Sequence, residues 1–370
     1  MECSSTLGGE HLRAVFRVAA AFAGTVVGAG FASGQEVLQF FGLYGVKAAW
    51  GIGLAGGLLG VFGYVILRTG ADLQARSHRE ILDGLGSPGL AAVLDGLLVL
   101  FLLGGLAAMA AGAGAVAREQ FGLPALAGST LLVTAAGLTV LFGLDSVVRA
   151  IGAVVPWLLV AVLVVAVGTV SSYPLALDWA APERAVFPSW PLAAVAYGSY
   201  NLVLSIAVLG PLGRVSPRSA LLPGALLGAG ILAGGALAIH LSLFTLGPGL
   251  LEGTELPMFV LARRLAPGLG PFYALVLLAE VYTTAVANLF GLVARVSAAP
   301  RGCPSLARDG APERADRRWV KTTLAVAAVA WCAAQLGLSA LIRNFYSLMG
   351  VAGFILLAVL ARRAVLGCRR

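Results

Sequence analysis

Gly28-Ala29-Gly30-Phe31-Ala32-Ser33-Gly34-Gln35-Glu36 sets three glycines, a serine, a glutamine and a carboxylate into an otherwise apolar run. Ala14 to Val27 is apolar apart from Arg17, Gly24 and Thr25, and apolar sequence resumes at Val37. In hydrocarbon an unpaired backbone group costs several kcal/mol, so such an interruption survives only where it lines protein or a water-filled cavity. An ionisable side chain at that depth marks a functional site. The chemistry is recognition of a solute near the bilayer midplane. Gly28 and Gly30 leave backbone amides and carbonyls uncovered, and Ala29, Phe31, Ser33 and Gly34 complete the candidate contacts. A helix restarting near Gly34 points the positive end of its dipole into the cavity, which suits a carboxylate. Glu36 could carry a proton, bind a cation or pair with a substrate ammonium; alternatively it caps the amides at the break.

Two further groups share this character. Tyr197-Gly198-Ser199-Tyr200-Asn201 lies within the apolar run from Trp190 to Leu212 and forms a second expected break. Glu280, Thr284, Asn288 and Gly291 recur at i, i+4, i+8 and i+11, which puts them on one helix face. With Thr283 beside it, that face is expected to line a cavity, because a buried ionisable group needs one. Asp95 is expected to face the membrane interface, and His240 to be a packed neutral imidazole. Tyr197, Tyr200 and Tyr282 could line a site, although aromatic residues in helices more often serve packing. Gly28 to Gly34 also fits a loose dinucleotide fingerprint, but the strand before it and the acid about 20 residues on are absent, so that reading is discarded.

The elements that must hold these residues follow from composition. Mean hydropathy is +0.93, and 59% of residues are hydrophobic and 11% charged, against about 25% charged in soluble domains. The reading is a single all-α polytopic membrane domain over 1–370. About ten stretches reach the roughly 20 residues a crossing needs: 14–41, 48–69, 89–117, 124–143, 146–170, 190–212, 219–245, 270–297, 319–337 and 341–364. The 49 glycines suit helices packed backbone to backbone; Gly51, Gly53, Gly56, Gly57 and Gly60 are the densest set, read as tight packing. The net charge of +8 does not point to nucleic acid. With the N-terminus inside, 19 of the 25 Lys and Arg lie on the cytoplasmic side and six (Lys47, Arg118, Arg184, Arg263, Arg264 and Arg343) outside, the positive-inside pattern. Both termini are therefore expected inside, in the cytoplasmic membrane. The first apolar stretch is too long for a signal peptide. Cys3, Cys303 and Cys368 fall on the cytoplasmic side and Cys332 in the ninth span, which disfavours a disulfide or a metal cluster.

The loop from Ser171 to Ser189 divides the chain into repeats of about 14–170 and 190–365. Five spans per half make the halves enter from opposite sides, the arithmetic of an inverted repeat whose site lies where the first helix of each half breaks. Thr254 to Leu265 is expected to form a short helix over the outer mouth, Ala71 to Leu85 an amphipathic segment on the inner surface, and Ser297 to Arg318 a linker.

Val27 to Phe41, V-G-A-G-F-A-S-G-Q-E-V-L-Q-F-F, resembles the first-helix signature of the YkvI-type bacterial membrane proteins. Those look related to the amino acid–polyamine–cation superfamily with its LeuT-type five-plus-five fold, and the span layout carries the resemblance over nearly the whole chain. The resemblance implies broken helices one and six. Ala23 to Gly30 is also similar to the first-helix motif of sodium-coupled members, implying the carbonyls of Gly24 and Val27 as Na⁺ ligands. Thr283-Thr284 resembles the paired hydroxyls those members carry on helix eight, while Glu280 departs by standing where a small residue is expected. A proton-coupled mechanism through Glu36 or Glu280 stays open beside it.

The expected function is secondary active transport of a small polar or zwitterionic solute, an amino acid or related compound, coupled to Na⁺ or H⁺ and needing no other cofactor. Its partners are the solute and the lipid bilayer. The absence of a Walker motif argues against ATP-driven pumping. Rival readings are a ligand sensor on the same fold, an intramembrane enzyme, disfavoured by the lack of Ser–His or H-E-x-x-H motifs, and a channel. Substrate, coupling ion, direction and oligomeric state stay open.

Overall fold

The computed structural model describes residues 3–75, 80–81, 88–141, 144–246, 254–297 and 317–367. Cys303, Cys368 and nearly all of the expected Ser297–Arg318 linker lie outside them, as does most of Ala71–Leu85 beyond Ala75. Helices α1 (Cys3–Val26), α2 (Ala29–Ser33), α3 (Gln35–Phe40), α4 (Ala48–Leu73), α5 (Pro88–Phe121), α6 (Ala125–Leu141) and α7 (Leu144–Ser172) form the first half. The second comprises α8 (Trp190–Val215), α9 (Arg218–Leu243), α10 (Pro257–Leu265), α11 (Leu269–Ser297), α12 (Arg317–Ala334), α13 (Leu338–Ala340) and α14 (Ser347–Gly367). A π-turn over Leu341–Tyr346 joins the last two. Among the described residues, five helices are long and apolar enough to cross a membrane, or six if the bent α8 is one span, with Ala125–Leu141 and Trp157–Ser172 shorter apolar helices. The expected short helix over the mouth is α10.

Packing divides the helices into two groups. In one, α4 pairs with α8, α1 with α9, and α9 with α4; in the other, α11 pairs with α5 and α6, and α12 with all three. Exchanging each helix for its counterpart five spans away maps α1–α9 onto α8–α4, α5–α6 onto α11–α12, and α5–α12 onto α11–α6. All of these pairs are observed. A five-plus-five repeat accounts for that exchange.

Small residues set the closeness. A Cβ on Gly70 of α4 would stand 2.0 Å from the Gly210 carbonyl oxygen of α8, and one on Gly213 would stand 1.9 Å from the Leu67 oxygen. With neither side chain present, the two backbones touch directly. The glycine set of α4 splits by phase. Cβ atoms on Gly51, Gly56 and Gly60 would meet Phe41, Ala233 and Leu226 at 3.3, 2.8 and 3.1 Å. Gly53 and Gly57 face open space, which corrects the tight-packing expectation there: helical phase points them away from α8 and α9.

The expected interruption of the first span is present in a different form. Rather than unwinding from Gly28 to Gly34, the chain breaks twice around the single turn of α2. Gly28 is extended (φ −148°, ψ −171°) and Gly34 left-handed (φ 81°, ψ −3°), where glycine carries no steric cost. A Cβ on Gly34 would also lie 2.8 Å from Met258 Cγ, so α10 seats directly on the break.

The second expected break is corrected. Tyr197–Asn201 is continuous helix within α8, and the axis instead bends 58° between Ile206 and Val208. The polar side chains bond back to their own helix: Asn201 Nδ2 donates to the Tyr197 carbonyl at 3.0 Å, Ser199 Oγ to that of Ala196 at 2.9 Å, and Ser205 Oγ to that of Asn201 at 2.7 Å. No unwinding is needed to satisfy them. The bend belongs to Pro211, which lacks an N–H for the carbonyl four residues earlier and clashes with it.

Candidate functional site

Glu36 sits in the first turn of α3, immediately after the left-handed Gly34. Its side chain folds back over α2: a Cβ on Gly30 would lie 2.6 Å from Glu36 Oε1 and 2.7 Å from Cγ. The residue is 3% exposed, and Oε2 has no hydrogen-bond partner among the described residues. The capping alternative is therefore not taken up. Glu36 is instead a buried carboxylate with an open acceptor, a costly arrangement unless a further group completes it.

Facing it is a cluster of aromatic rings. Tyr197 and Tyr200, one turn apart on α8, pack edge to face at 5.6 Å between centroids, and Tyr200 meets Tyr346 at 5.3 Å. Phe40 of α3 lies 5.5 Å from Tyr197 and 5.6 Å from Tyr200, and Phe41 5.0 Å from Tyr197. Glu36 is in electrostatic contact with Tyr197, Tyr200 and Tyr346, and Asn201 with both Tyr197 and Tyr200. Tyr197 Oη and Tyr200 Oη are both buried, with no partner at hydrogen-bonding distance. Of the residues expected from span six, Tyr197 and Tyr200 thus lie in the electrostatic surroundings of Glu36, with Asn201 beside the two tyrosines. Ser199 points elsewhere, its single hydroxyl proton shared between the Ala196 carbonyl and the Gly350 carbonyl of α14 at 2.5 Å, and Gly198 faces Leu58 of α4 at 3.5 Å.

Within α2, Ser33 Oγ donates to the Gly30 carbonyl at 3.1 Å and accepts from the Gln35 amide at 3.3 Å. Phe31 is fully buried and packs on Gly235 of α9. Ala29 opens the turn. On its other flank, the Ala32 carbonyl accepts from Tyr273 Oη of α11 at 2.5 Å, which ties the break to the second helix group. The last bond of α1 runs from the Val27 amide to the Ala23 carbonyl at 3.0 Å. The carbonyls from Gly24 to Val27 therefore form a helix C-terminus with its negative dipole end.

The α11 stripe holds the second carboxylate. Glu280 is 2% exposed; its Oε1 accepts from Thr284 Oγ1 at 3.1 Å, and Oε2 is unpartnered. Thr283 Oγ1 donates to the Glu280 carbonyl at 3.0 Å. A Cβ on Gly105 of α5 would stand 2.7 Å from Asn288 Nδ2, and one on Gly291 3.4 Å from Leu102, so the lower stripe faces α5. Asp95 is not a free interfacial group: Arg295 Nε lies 3.0 Å from each of its carboxylate oxygens. His240 is packed as expected, edge to face with Phe244 at 4.8 Å, with both ring nitrogens unpartnered.

Above Gln35 opens a cavity of about 490 Å³, whose lining includes Gln39, Arg118, Arg184, Glu255, Ser339 and Arg343. Gln35 Nε2 donates to Ser339 Oγ of α13 at 2.9 Å, placing a polar floor beside Glu36.

Tyr346 and Gln35 stand at the candidate site although the sequence pattern did not single them out. Tyr346 arrives through the π-turn, whose extra residue per turn shifts the phase of everything after it. Its neighbour Phe345 occupies the space a Gly104 side chain would fill. No sequence periodicity announces that shift. Gln35 was legible: a buried amide next to an intramembrane carboxylate.

No family model matches the chain. The membrane protein YkvI of Bacillus subtilis (strain 168), itself uncharacterized, is 32% identical over 289 residues, 76% of this chain and 80% of YkvI. The uncharacterized protein YyaD of the same organism is 26% identical over 275 residues, 74% and 79% of the two chains. Among solved structures, a Na⁺-coupled sialic acid symporter aligns at a TM-score of 0.65 with 13% identity, over 94% of this chain and 78% of its own. MhsT in complex with L-phenylalanine aligns at 0.62 with 19% identity, over 94% and 88%. Likeness at that identity is likeness of fold, and it agrees with the exchangeable helix pairs and the broken first helix. By its identity to YkvI over most of both lengths, the chain belongs to the YkvI family of multi-pass membrane proteins, built on the LeuT-type fold.

Proposed function

We propose that the protein is a secondary active transporter of a small polar or zwitterionic solute, an amino acid or a related compound, coupled to Na⁺ or H⁺. The observation that carries this reading is the unpartnered Glu36 carboxylate oxygen, buried at a twice-broken helix within the electrostatic reach of Tyr197 and Tyr200, whose hydroxyls are unpartnered as well. A merely structural carboxylate would be paired or capped. The solute contacts are the α2 segment from Gly28 to Gly34 and the α8 face of Tyr197, Tyr200 and Asn201. The two helix groups supply what alternating access requires, one body moving against another around a site between them. The site is expected to open to the outside through the cavity above Gln35. Ten crossings with both termini cytoplasmic fit the distribution of Lys and Arg.

For the coupling ion, the carbonyls of Gly24 and Val27 and the hydroxyls of Thr283 and Thr284 are the proposed Na⁺ ligands. Glu280, hydrogen-bonded to Thr284, would add its carboxylate charge to that wall or carry a proton in place of the ion. The likeness of fold to a Na⁺-coupled symporter supports the first alternative. The solute crosses chemically unchanged.

The test is uptake into proteoliposomes of a panel of amino acids and amines, under an imposed Na⁺ or pH gradient. Gradient-driven accumulation is expected in the wild type and loss of it in the Glu36→Gln/Glu280→Gln double variant. Wild-type flux in the double variant would sink the assignment. Saturable binding without flux in any gradient would favour a sensor on the same fold.

A further inference from the structure

We propose that Glu36, Tyr197 and Tyr200 form a seat for a primary ammonium group, the part of the solute that the protein recognises. The inference takes its solute from the transport reading above, but its binding chemistry stands on the seat alone.

The argument is one of matching donors to acceptors. Three buried oxygens of one neighbourhood lack partners: Glu36 Oε2, Tyr197 Oη and Tyr200 Oη; Phe40, one turn from Glu36 on α3, packs on both tyrosine rings. A primary ammonium offers three N–H donors and no acceptor, so one such group can satisfy all three oxygens while neutralising the carboxylate. Competing occupants fit less well. A proton on Glu36 removes the charge and supplies a single donor, which reaches one hydroxyl oxygen and leaves the other unpartnered. A guanidinium brings five donors in a planar fork, more than the seat accepts. A neutral solute leaves a charge buried alone, which is the costliest outcome.

The surroundings point the same way. Phe40, Tyr197, Tyr200 and Tyr346 stand with successive centroids 5.3 to 5.6 Å apart. They wall the carboxylate with ring surfaces that attract a cation. Among the described residues Glu36 has no basic partner, so an ionised Glu36 calls for a cation from the solute. Gly30 gives the carboxylate its place: with no Cβ there, Glu36 lies against α2. Asn201 donates to the Tyr197 carbonyl of its own helix and so stands beside both tyrosines.

The experiment uses the purified full chain and three four-carbon probes: n-butylammonium, butyrate and n-butanol. Their effect on the thermal unfolding midpoint is followed over concentration, since a ligand of the folded state raises apparent stability by mass action. Butylammonium is expected to stabilise the wild type saturably and the other two are not. Its affinity is expected to fall at least about tenfold in Glu36→Gln, which trades a charge-assisted bond for a neutral one, and by a smaller factor in Tyr200→Phe. No saturable response to butylammonium in the wild type overturns the proposal, as does unchanged affinity in Glu36→Gln or an equal response to butyrate. If Glu36→Gln does not fold, the paired variants Tyr197→Phe and Tyr200→Phe decide, and unchanged affinity in both overturns it. Absence of flux with Glu36-dependent ammonium binding intact would strike the transport reading alone. Solute flux without any ammonium response would strike the seat alone.

Discussion

Alanine introduced at three glycines of α4 separates helix–helix contact from helix propensity. Gly53, Gly57 and Gly70 lie in one helix, so replacement by Ala gains about 1 kcal/mol of propensity at each. They differ only in what the new methyl meets. At Gly53 and Gly57 there is nothing within 4 Å, whereas at Gly70 the Cβ would stand 2.0 Å from the Gly210 carbonyl oxygen and 2.9 Å from its Cα. A carbon–oxygen contact needs roughly 3.3 Å, so α4 and α8 must part by about 1.3 Å. Neither backbone can yield as a side chain would, and a gap of 0.5–1 Å already forfeits about a quarter to a half of each dispersion contact along the seam. Gly70→Ala is therefore expected to cost about 2 kcal/mol or more net of propensity. Gly53→Ala and Gly57→Ala are expected to be neutral to stabilising by up to about 1 kcal/mol. Thermal or denaturant unfolding of the three purified variants in one detergent gives the comparison. Because α8 carries Tyr197 and Tyr200, Gly70→Ala should also weaken solute binding. A Gly70→Ala protein as stable as Gly53→Ala would refute the close approach, and with it the packing that sets the tyrosines opposite Glu36.

Other outcomes follow from single contacts. Thr284→Ala removes the donor to Glu280 Oε1 and one proposed ion ligand; the Na⁺ concentration for half-maximal uptake is expected to rise several-fold, about 1 kcal/mol for one lost hydrogen bond, with the ranking of solutes unchanged. A changed ranking with the same Na⁺ dependence would place Thr284 at the solute instead. His240 packs against Phe244 with both nitrogens unpartnered, so His240→Phe, which removes two buried polar atoms, is expected to leave the unfolding midpoint unchanged or higher. A loss of about 2 kcal/mol or more would show that the imidazole has a partner and a role of its own.

Much of this protein is written locally. The bilayer penalises every exposed peptide group and every charge. Apolar runs therefore declared the helices, and the glycines at 28, 30 and 34 declared the break. Glu36 and Glu280 declared themselves as costly groups in need of a reason. Pro211 carried the bend of α8 in plain view, yet the polar run at Tyr197–Asn201 drew the reading to the wrong turn, because polarity does not distinguish an unwound segment from one whose side chains bond back to their own helix.

What tertiary structure decided is which of those groups meet. The sequence placed Tyr200 and Glu36 on separate helices, but their encounter depends on α4 and α8 touching through Gly70, Gly210 and Gly213. Two of the five clustered glycines of α4, Gly53 and Gly57, instead look outward. Asp95 finds Arg295 two hundred positions away, and Tyr346 reaches the site only because a π-turn rotates it there. Helical periodicity and hydropathy are properties of one segment at a time. A phase shift, an ion pair between distant helices or a shared orphan acceptor exists only once two segments pack, and the energy that selects it belongs to the pair.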